Sequence, residues 1–383
     1  MSHPPAQEDP ALWLQLIRSR RIGPVTFHRL LADHGGVEAA LAVLPDIAKA
    51  AGVEGYEICP IGVVRHELAQ GRAAKARLLR FGGADYPQTL LSLPDAPPVL
   101  WVQGDVSLLN RPMVALVGAR NASSLGLRMA RRLALALGGA GQVVVSGLAR
   151  GIDAAAHDAA LATGTVAVQA GGVDVIYPAE NADLAAQILA QGCRIQILAQ
   201  GCRISEQPVG MQPQTRHFPL RNRIISGLAR AVVVVEAAAK SGSLITAETA
   251  LEQGREVFAV PGHPFDARAE GCNRLIRDGA TLLRGPQDIF DVLGIAAKVM
   301  QRPDPADQAL CEPPAGPIPP RRPLGDTAAL HAQILARLGP SPLAEDQLIR
   351  DLALPAASLT SELVTLELDG RIERHSGGLI TRR

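Results

Sequence analysis

Aromatic residues make up only 3% of the 383-residue chain, with six Phe, three Tyr and two Trp, which leaves little for a ligand-capture mode built on extended stacking. Charge of one sign is also missing: 38 basic residues against 37 acidic ones give a net +1, which excludes a globally basic nucleic-acid binder but not a local patch. Lysine occurs only at positions 49, 75, 240 and 298, so arginine supplies almost all of the positive charge. The five cysteines (Cys59, Cys193, Cys202, Cys272 and Cys311) form no C-x-x-C pair and are odd in number, so neither a zinc site nor a disulfide framework is suggested and no metal is expected. No apolar run reaches a membrane-spanning length of about 18 residues. The best stretch, 133–149, is interrupted by glycines and Gln142. The start MSHPPAQEDP has no basic cluster and no apolar core behind it, so no secretory signal and no membrane association are expected, and the location implied is cytoplasmic.

What is present is a folded composition, 47% hydrophobic and 20% charged, in a chain long enough for several domains. Residues 11–44 show short helical patterns broken at 22–24 and 34–36, a small helical module within an expected domain 1–75. From Pro112 onward apolar runs alternate with amphipathic helices: MVALV (113–117), VVVS (143–146), TVAV (165–168), AVVVVE (231–236) and EVFAV (256–260). Such runs predict an α/β domain over 76–300, a Rossmann-like, doubly wound and mainly parallel sheet covered on both faces. Eight prolines across 301–326 predict a stiff linker, and 327–383 reads as three helices and a hairpin around Ser376-Gly377-Gly378, a winged helix. The octapeptide ILAQGCRI occurs twice, at 188–195 and 197–204. A nine-residue step is about two and a half helical turns, so a surface bulge is expected rather than a longer helix.

Three loops carry candidate chemistry. GARNASSLG (118–126) follows a strand and opens a helix, where unpaired N–H groups and the helix dipole attract an anion. Its spacing fits neither the dinucleotide fingerprint nor the P-loop, so no dinucleotide cofactor is expected. AAKSGSLITAE (238–248) repeats the arrangement with Lys240, Ser241, Gly242 and Ser243. SGLARGIDAAAH (146–157) places Asp153 and His157 one turn apart, either a metal or acid–base pair or, as the pattern favours, a helix-orienting carboxylate and a satisfied core histidine. From Val106 to Ile152 there are six Arg and no acid, and from Gln207 to Val235 four Arg plus His217, again with no acid. Two such stretches on a neutral chain describe a local surface for a phosphate backbone.

Eight ordered blocks between about 97 and 293 resemble the DprA (Smf) family of DNA-processing proteins: VALVGARNASSLG, VVSGLARGIDAAAHDAAL, TVAVQAGGVDVIYP, SEQPVG, FPLRNRIISGLA, VVVVEAAAKSGSLITAETAL, REVFAVPG and GCNRLIRDGA. The start resembles that family's sterile-alpha-motif-like (SAM-like) helical domain and the tail its winged-helix domain. The resemblance implies a cytoplasmic, dimeric single-stranded DNA-binding protein without catalytic residues, which protects incoming DNA and delivers it to the recombinase RecA in natural transformation. Its DNA-contact positions match Arg120 and Lys240. With the loops and the FPLRNRI block, the expected phosphate-contact set is Gly118, Arg120, Ser123, Ser124, Gly126, Ser146, Gly147, Arg150, Arg221, Asn222, Arg223, Lys240, Ser241, Gly242 and Ser243. Phe218 and Tyr177 are the few central aromatics available for a base. A dimer interface is expected at Leu275, Ile276, Leu282 and Leu283, residues that otherwise complete the monomer core.

Two other classes of function fit the sequence less well. A nucleotide-processing phosphoribohydrolase would need P-G-G-x-G-T-x-x-E, whereas PGHPFDAR (261–268) lacks it. A transcription factor would read DNA with helix 357–370, which carries Glu362, Glu367 and Asp369 and no Lys or Arg, a poor surface for phosphates.

Overall fold

The computed structural model describes residues 9–190, 193–194, 197–198, 201–296, 324–339, 341–352, 354–375 and 378–382. The expected linker 301–326 lies outside the described residues except for its last three. Four helices come first: α1 (Pro10–Arg18), α2 (Pro24–His34), α3 (Val37–Ala50) and α4 (Ile61–Ala73). Asp9 caps α1 by accepting from Ala11 N–H at 2.8 Å, and proline opens both α1 and α2, where its missing donor costs nothing. Trp13, Leu14, Leu16, Phe27 and Leu30 form a core shared with Trp101 of the central domain. Glu67 fastens the junction, accepting from Arg18 at 2.9 and 3.0 Å and from the Trp101 indole at 2.8 Å.

The central sheet has nine strands. The described elements of this domain are β1 (Arg77–Arg80), β2 (Val99–Gly104), β3 (Met113–Val117), α5 (Ser124–Gly139), β4 (Val143–Ser146), α6 (Ile152–Ala160), β5 (Thr165–Val168), α7 (Ala182–Leu189), β6 (Cys193–Arg194) and β7 (Ile197–Leu198), which pair apart from the central sheet, β8 (Gly201–Ser205), α8 (His217–Leu228), β9 (Ala231–Val234), α9 (Gly242–Glu252), β10 (Glu256–Ala259), α10 (Glu270–Arg277), β11 (Thr281–Leu282) and α11 (Pro286–Leu293). The order is β1-β2-β8-β5-β4-β3-β9-β10-β11, parallel from β8 to β11 and antiparallel at β1–β2 and β2–β8. The five apolar runs read from sequence are the contiguous strands β5, β4, β3, β9 and β10. Alternate residues face opposite layers: Val114 and Leu116 join the core under α5, α6 and α11, while Ala115 and Val117 join the core under α8, α9 and α10. Full burial of each such side chain stabilises the fold by roughly 1.5–3 kcal/mol.

The repeat resolves into two different structures. Helix α7 ends at Leu189, β6 and β7 pair as a short hairpin, and the second copy supplies β8. The tail comprises α12 (Leu324–Arg337), β12 (Leu343–Ala344), α13 (Glu345–Leu352), α14 (Ala356–Leu368), β13 (Ile372–His375) and β14 (Leu379–Arg382), with its own core of Ile334, Leu348, Leu359, Leu363, Leu366 and Ile380. Three strands pack against three helices, a winged helix.

Candidate nucleic-acid interface

The chain leaves β3 in one direction to build β4, β5 and β8, then returns on the other side of β3 to build β9, β10 and β11. The switch point therefore lies between β3 and β9, whose registers end level at Val117 and Val234. An open parallel sheet leaves a crevice there, because the two following loops diverge. A cavity of about 620 Å³ fills it, lined by Gly118, Arg120, Asn121, Phe218, Arg221, Asn222 and the run Lys240–Ser243. A smaller one of about 290 Å³ continues from Arg120, Phe218 and Arg221 to Gly147, Arg150 and Tyr177.

Phe218 organises the charges. The guanidinium carbons of Arg120 and Arg221 stand 5.3 and 6.0 Å from its ring centroid, and the Tyr177 ring is 5.7 Å away. Arg120 and Lys240 are exposed and form no ion pair among the described residues. Arg221 is buried, its Nε has no hydrogen-bond partner, and burial pulls its pKa down to about 10, with Asp153 opposing and the neighbouring Arg120 adding to the fall. Like charges held this close favour an anion between them. Gly147 makes room: a Cβ there would sit 1.4 Å from Arg221 Nη1, so any side chain would displace the guanidinium.

Asp153 and His157 rig the loop beneath. Asp153 accepts from Gly147 N–H at 3.1 Å and Ala149 N–H at 3.3 Å, and burial pushes its carboxyl pKa up against the pull of Arg221 and these bonds. The Thr165 hydroxyl donates to Val144 O at 2.9 Å, so the contact of 2.7 Å to His157 requires a proton on Nδ1. That leaves Nε2 to accept from Leu148 N–H at 3.3 Å, and Leu148 is held at φ +55°. Burial lowers the His157 pKa to about 3, so the ring is neutral. The pair positions backbone; it is not placed to bind a metal. Gly151, at φ +75°, lets this loop touch the first one: a Cβ would lie 2.2 Å from Ala119 O.

Five expected phosphate contacts are placed elsewhere. Ser123 caps α5, donating through its N–H at 2.8 Å and its hydroxyl to Glu236, and accepting from Gly126 N–H at 3.0 Å. The Glu236 carboxylate thus occupies the N-terminus of α5, and Ser123, Ser124 and Gly126 are not available to a second anion there. Glu236 was missed in the sequence, although it ends the AVVVVE run beside the loop; burial pushes its pKa up, opposed by the Ser123 bonds. Arg223 is also turned away. Two positions along a helix is about 200°, and where Arg221 faces the crevice, Arg223 is buried against Glu206 and lies 3.4 Å from Asp95. Ser146 is buried and donates to Leu116 O at 2.6 Å, beneath the crevice rather than lining it. Arg150 reaches Glu180 at 3.5 Å on the surface. Of the expected interface, Leu275 and Leu283 are buried in the monomer core, Ile276 is partly buried against it, and Leu282 on edge strand β11 stays 43% exposed.

Comparison with known proteins agrees with this architecture. The family model described as DNA recombination-mediator protein A matches residues 77–294, flanked by a DprA-like N-terminal HHH domain at 7–69 and a DprA winged helix domain at 318–378. The chain belongs to the DNA recombination-mediator protein A family. Protein Smf of Escherichia coli is 38% identical over 78% of this chain and 75% of its own length. The X-ray structure of DNA processing protein A from Streptococcus pneumoniae superposes with a TM-score of 0.61 at 35% identity, covering 74% of this chain and 98% of that one. A structure of DNA processing protein A from Helicobacter pylori, described for its single-stranded DNA binding mode, gives 0.51 at 28% identity over 57% of this chain and 95% of that one. The expected SAM-like module thus corresponds to the domain that the family model describes as HHH. No helix among the described residues is long and apolar enough to cross a membrane.

Proposed function

We propose that this protein binds single-stranded DNA by its phosphates in the β3–β9 crevice, protects it, and as a cytoplasmic homodimer delivers it to RecA during natural transformation. The observation that carries the reading is the pair of guanidinium groups gathered on Phe218 with Lys240 across the crevice. The placement of cations around one aromatic fits a phosphate-led grip with one base accommodated, and the likeness to the Helicobacter pylori protein supports single strands as the ligand. The nearby carboxylates support binding without a catalytic step: Asp153 and Glu236 accept backbone N–H bonds, and Asp266 is paired with Arg268. Titrating the full chain with single-stranded and duplex oligonucleotides of equal length over a salt series tests this. Tighter, salt-dependent single-strand binding is expected; duplex preference or salt-independent binding overturns it. For the dimer, the exposed Leu282 is the interface candidate, and Leu282→Glu is expected to give monomers in light scattering where the wild-type chain gives dimers.

A further inference from the structure

Phe265 is 89% exposed, more than any other large apolar side chain among the described residues. It is nevertheless held firmly, in a turn where Asp266 N–H donates to His263 O at 2.9 Å and Phe265 N–H to His263 Nδ1 at 3.3 Å, with the two rings 5.6 Å apart. Asp266 in turn grips Arg268 through both oxygens, at 3.0 and 3.1 Å, and Arg268 donates to the tail carbonyls of Ala336 at 2.6 Å and Leu338 at 3.0 Å. An aromatic ring presented to solvent on so fixed a turn loses little freedom on stacking.

Beside Phe265 lies a cleft of about 550 Å³ between the central domain and the winged helix. Its charged groups are Arg268, Arg382 and Asp266, so its balance is positive, and the one acid is committed to Arg268. Asn121 and Arg268 line both this cleft and the β3–β9 crevice, which makes the two cavities neighbours along one surface. We propose that Phe265 and this cleft form a second station for the same single strand, with a nucleobase stacked on Phe265 and the backbone running past Asn121 toward Arg382. The occupant is a nucleic acid rather than a peptide because the aromatic stands alone instead of within an apolar patch, and because the cleft continues a crevice lined by phosphate-seeking cations.

The inference rests on the proposed single-strand binding, and the test separates the two. Oligo(dT) of about 5 nucleotides fills the crevice alone, and oligo(dT) of about 20 nucleotides spans both stations. Phe265→Ala is expected to bind the short oligonucleotide like the wild type and the long one about tenfold more weakly. Phe265→Trp is expected to restore long-strand affinity and to lose emission on binding the long strand but not the short one, over a background from the buried Trp13 and Trp101. Unchanged long-strand affinity in Phe265→Ala, or unmoved emission in Phe265→Trp, overturns the second station while leaving the crevice intact. Equal weakening for both lengths assigns Phe265 to the crevice, and a change of oligomeric state assigns it to a protein contact; either overturns the proposal. Wild-type protein that binds neither length removes the underlying reading as well.

Discussion

Replacing Arg120 or Lys240 with alanine isolates the electrostatic part of the grip. Four cations line the crevice, but Arg268 is paired with Asp266 and Arg221 faces the buried Asp153, leaving Arg120 and Lys240 as the uncompensated pair. Each phosphate neutralised on a single strand contributes about 0.7 to the slope of log affinity against log salt. A fourfold rise in salt therefore costs about 2.6-fold in affinity per contact, and about sevenfold for both. Arg120→Ala and Lys240→Ala are each expected to flatten the slope by about 0.7 and the double variant by about 1.4, with melting temperatures unchanged because both side chains are exposed. Arg120→Lys retains the charge and the slope but loses the planar contact with Phe218. Equilibrium titrations by fluorescence anisotropy at several salt concentrations read all of this. Folded alanine variants with the wild-type slope refute the assignment.

Arg223→Ala is expected to do the reverse, destabilising the protein by about 3 kcal/mol in denaturant melts by leaving the largely enclosed Glu206 carboxylate without its guanidinium, while leaving the salt slope for bound DNA intact. His157 predicts acid sensitivity: its folded pKa of about 3 lies below the unfolded 6.5, so the unfolded chain takes up the proton first and its contribution to stability, present above pH 6.5, is lost as pH falls below it. Melts from pH 6.5 to 5 are expected to show about 2 kcal/mol of loss from this group, absent in His157→Gln; equal pH profiles for the two proteins contradict it. Truncation near residue 300 is expected to leave a folded central domain that binds short single strands, since the tail core is separate and its contacts to the central domain include Arg268 on two tail carbonyls and Arg337 on Ala122 O at 2.9 Å. Loss of most affinity for short strands on truncation would instead make the winged helix the DNA reader.

The sequence made the parallel core legible because each strand there is covered on both faces and so reads as an unbroken β-branched run. Strands β1, β2, β8 and β11 are not legible in the same way: β1 is an exposed-edge RLLR, β2 carries Trp and Gln within VLWVQG, β11 is two residues long, and β8 is hidden in a repeat whose two copies look identical. Local sequence could not tell them apart, because what selects the second copy for the sheet is its pairing with β2 and β5. In the site, loop positions were legible and side-chain directions were not. Arg221 and Arg223 are two residues apart in one basic block, and only the helix rotation sends one to the crevice and the other to Glu206. Likewise, a helix N-terminus reads as an anion site whether its anion is a ligand or the chain's own Glu236.

Occupation of the α5 terminus by Glu236 has a consequence for how the proposed function works. It removes one ready-made phosphate site from the chain and leaves a grip that depends on two uncompensated cations, two arginines set against acids and one aromatic. Such a site is expected to hold one short segment modestly and to be sensitive to salt. The proposed delivery to a recombinase would gain from that, because each local contact is released at little cost. Retention then comes from number rather than strength: in the proposed dimer two crevices engage one long strand, and the second engagement proceeds at the effective concentration set by the first, which raises overall affinity by about 10²–10⁴ with no stronger contact at either site. A strand too short to reach both crevices forgoes that gain, so affinity should rise steeply once the length bridges the dimer. A recombinase that competes for one segment at a time meets only the weak local contacts.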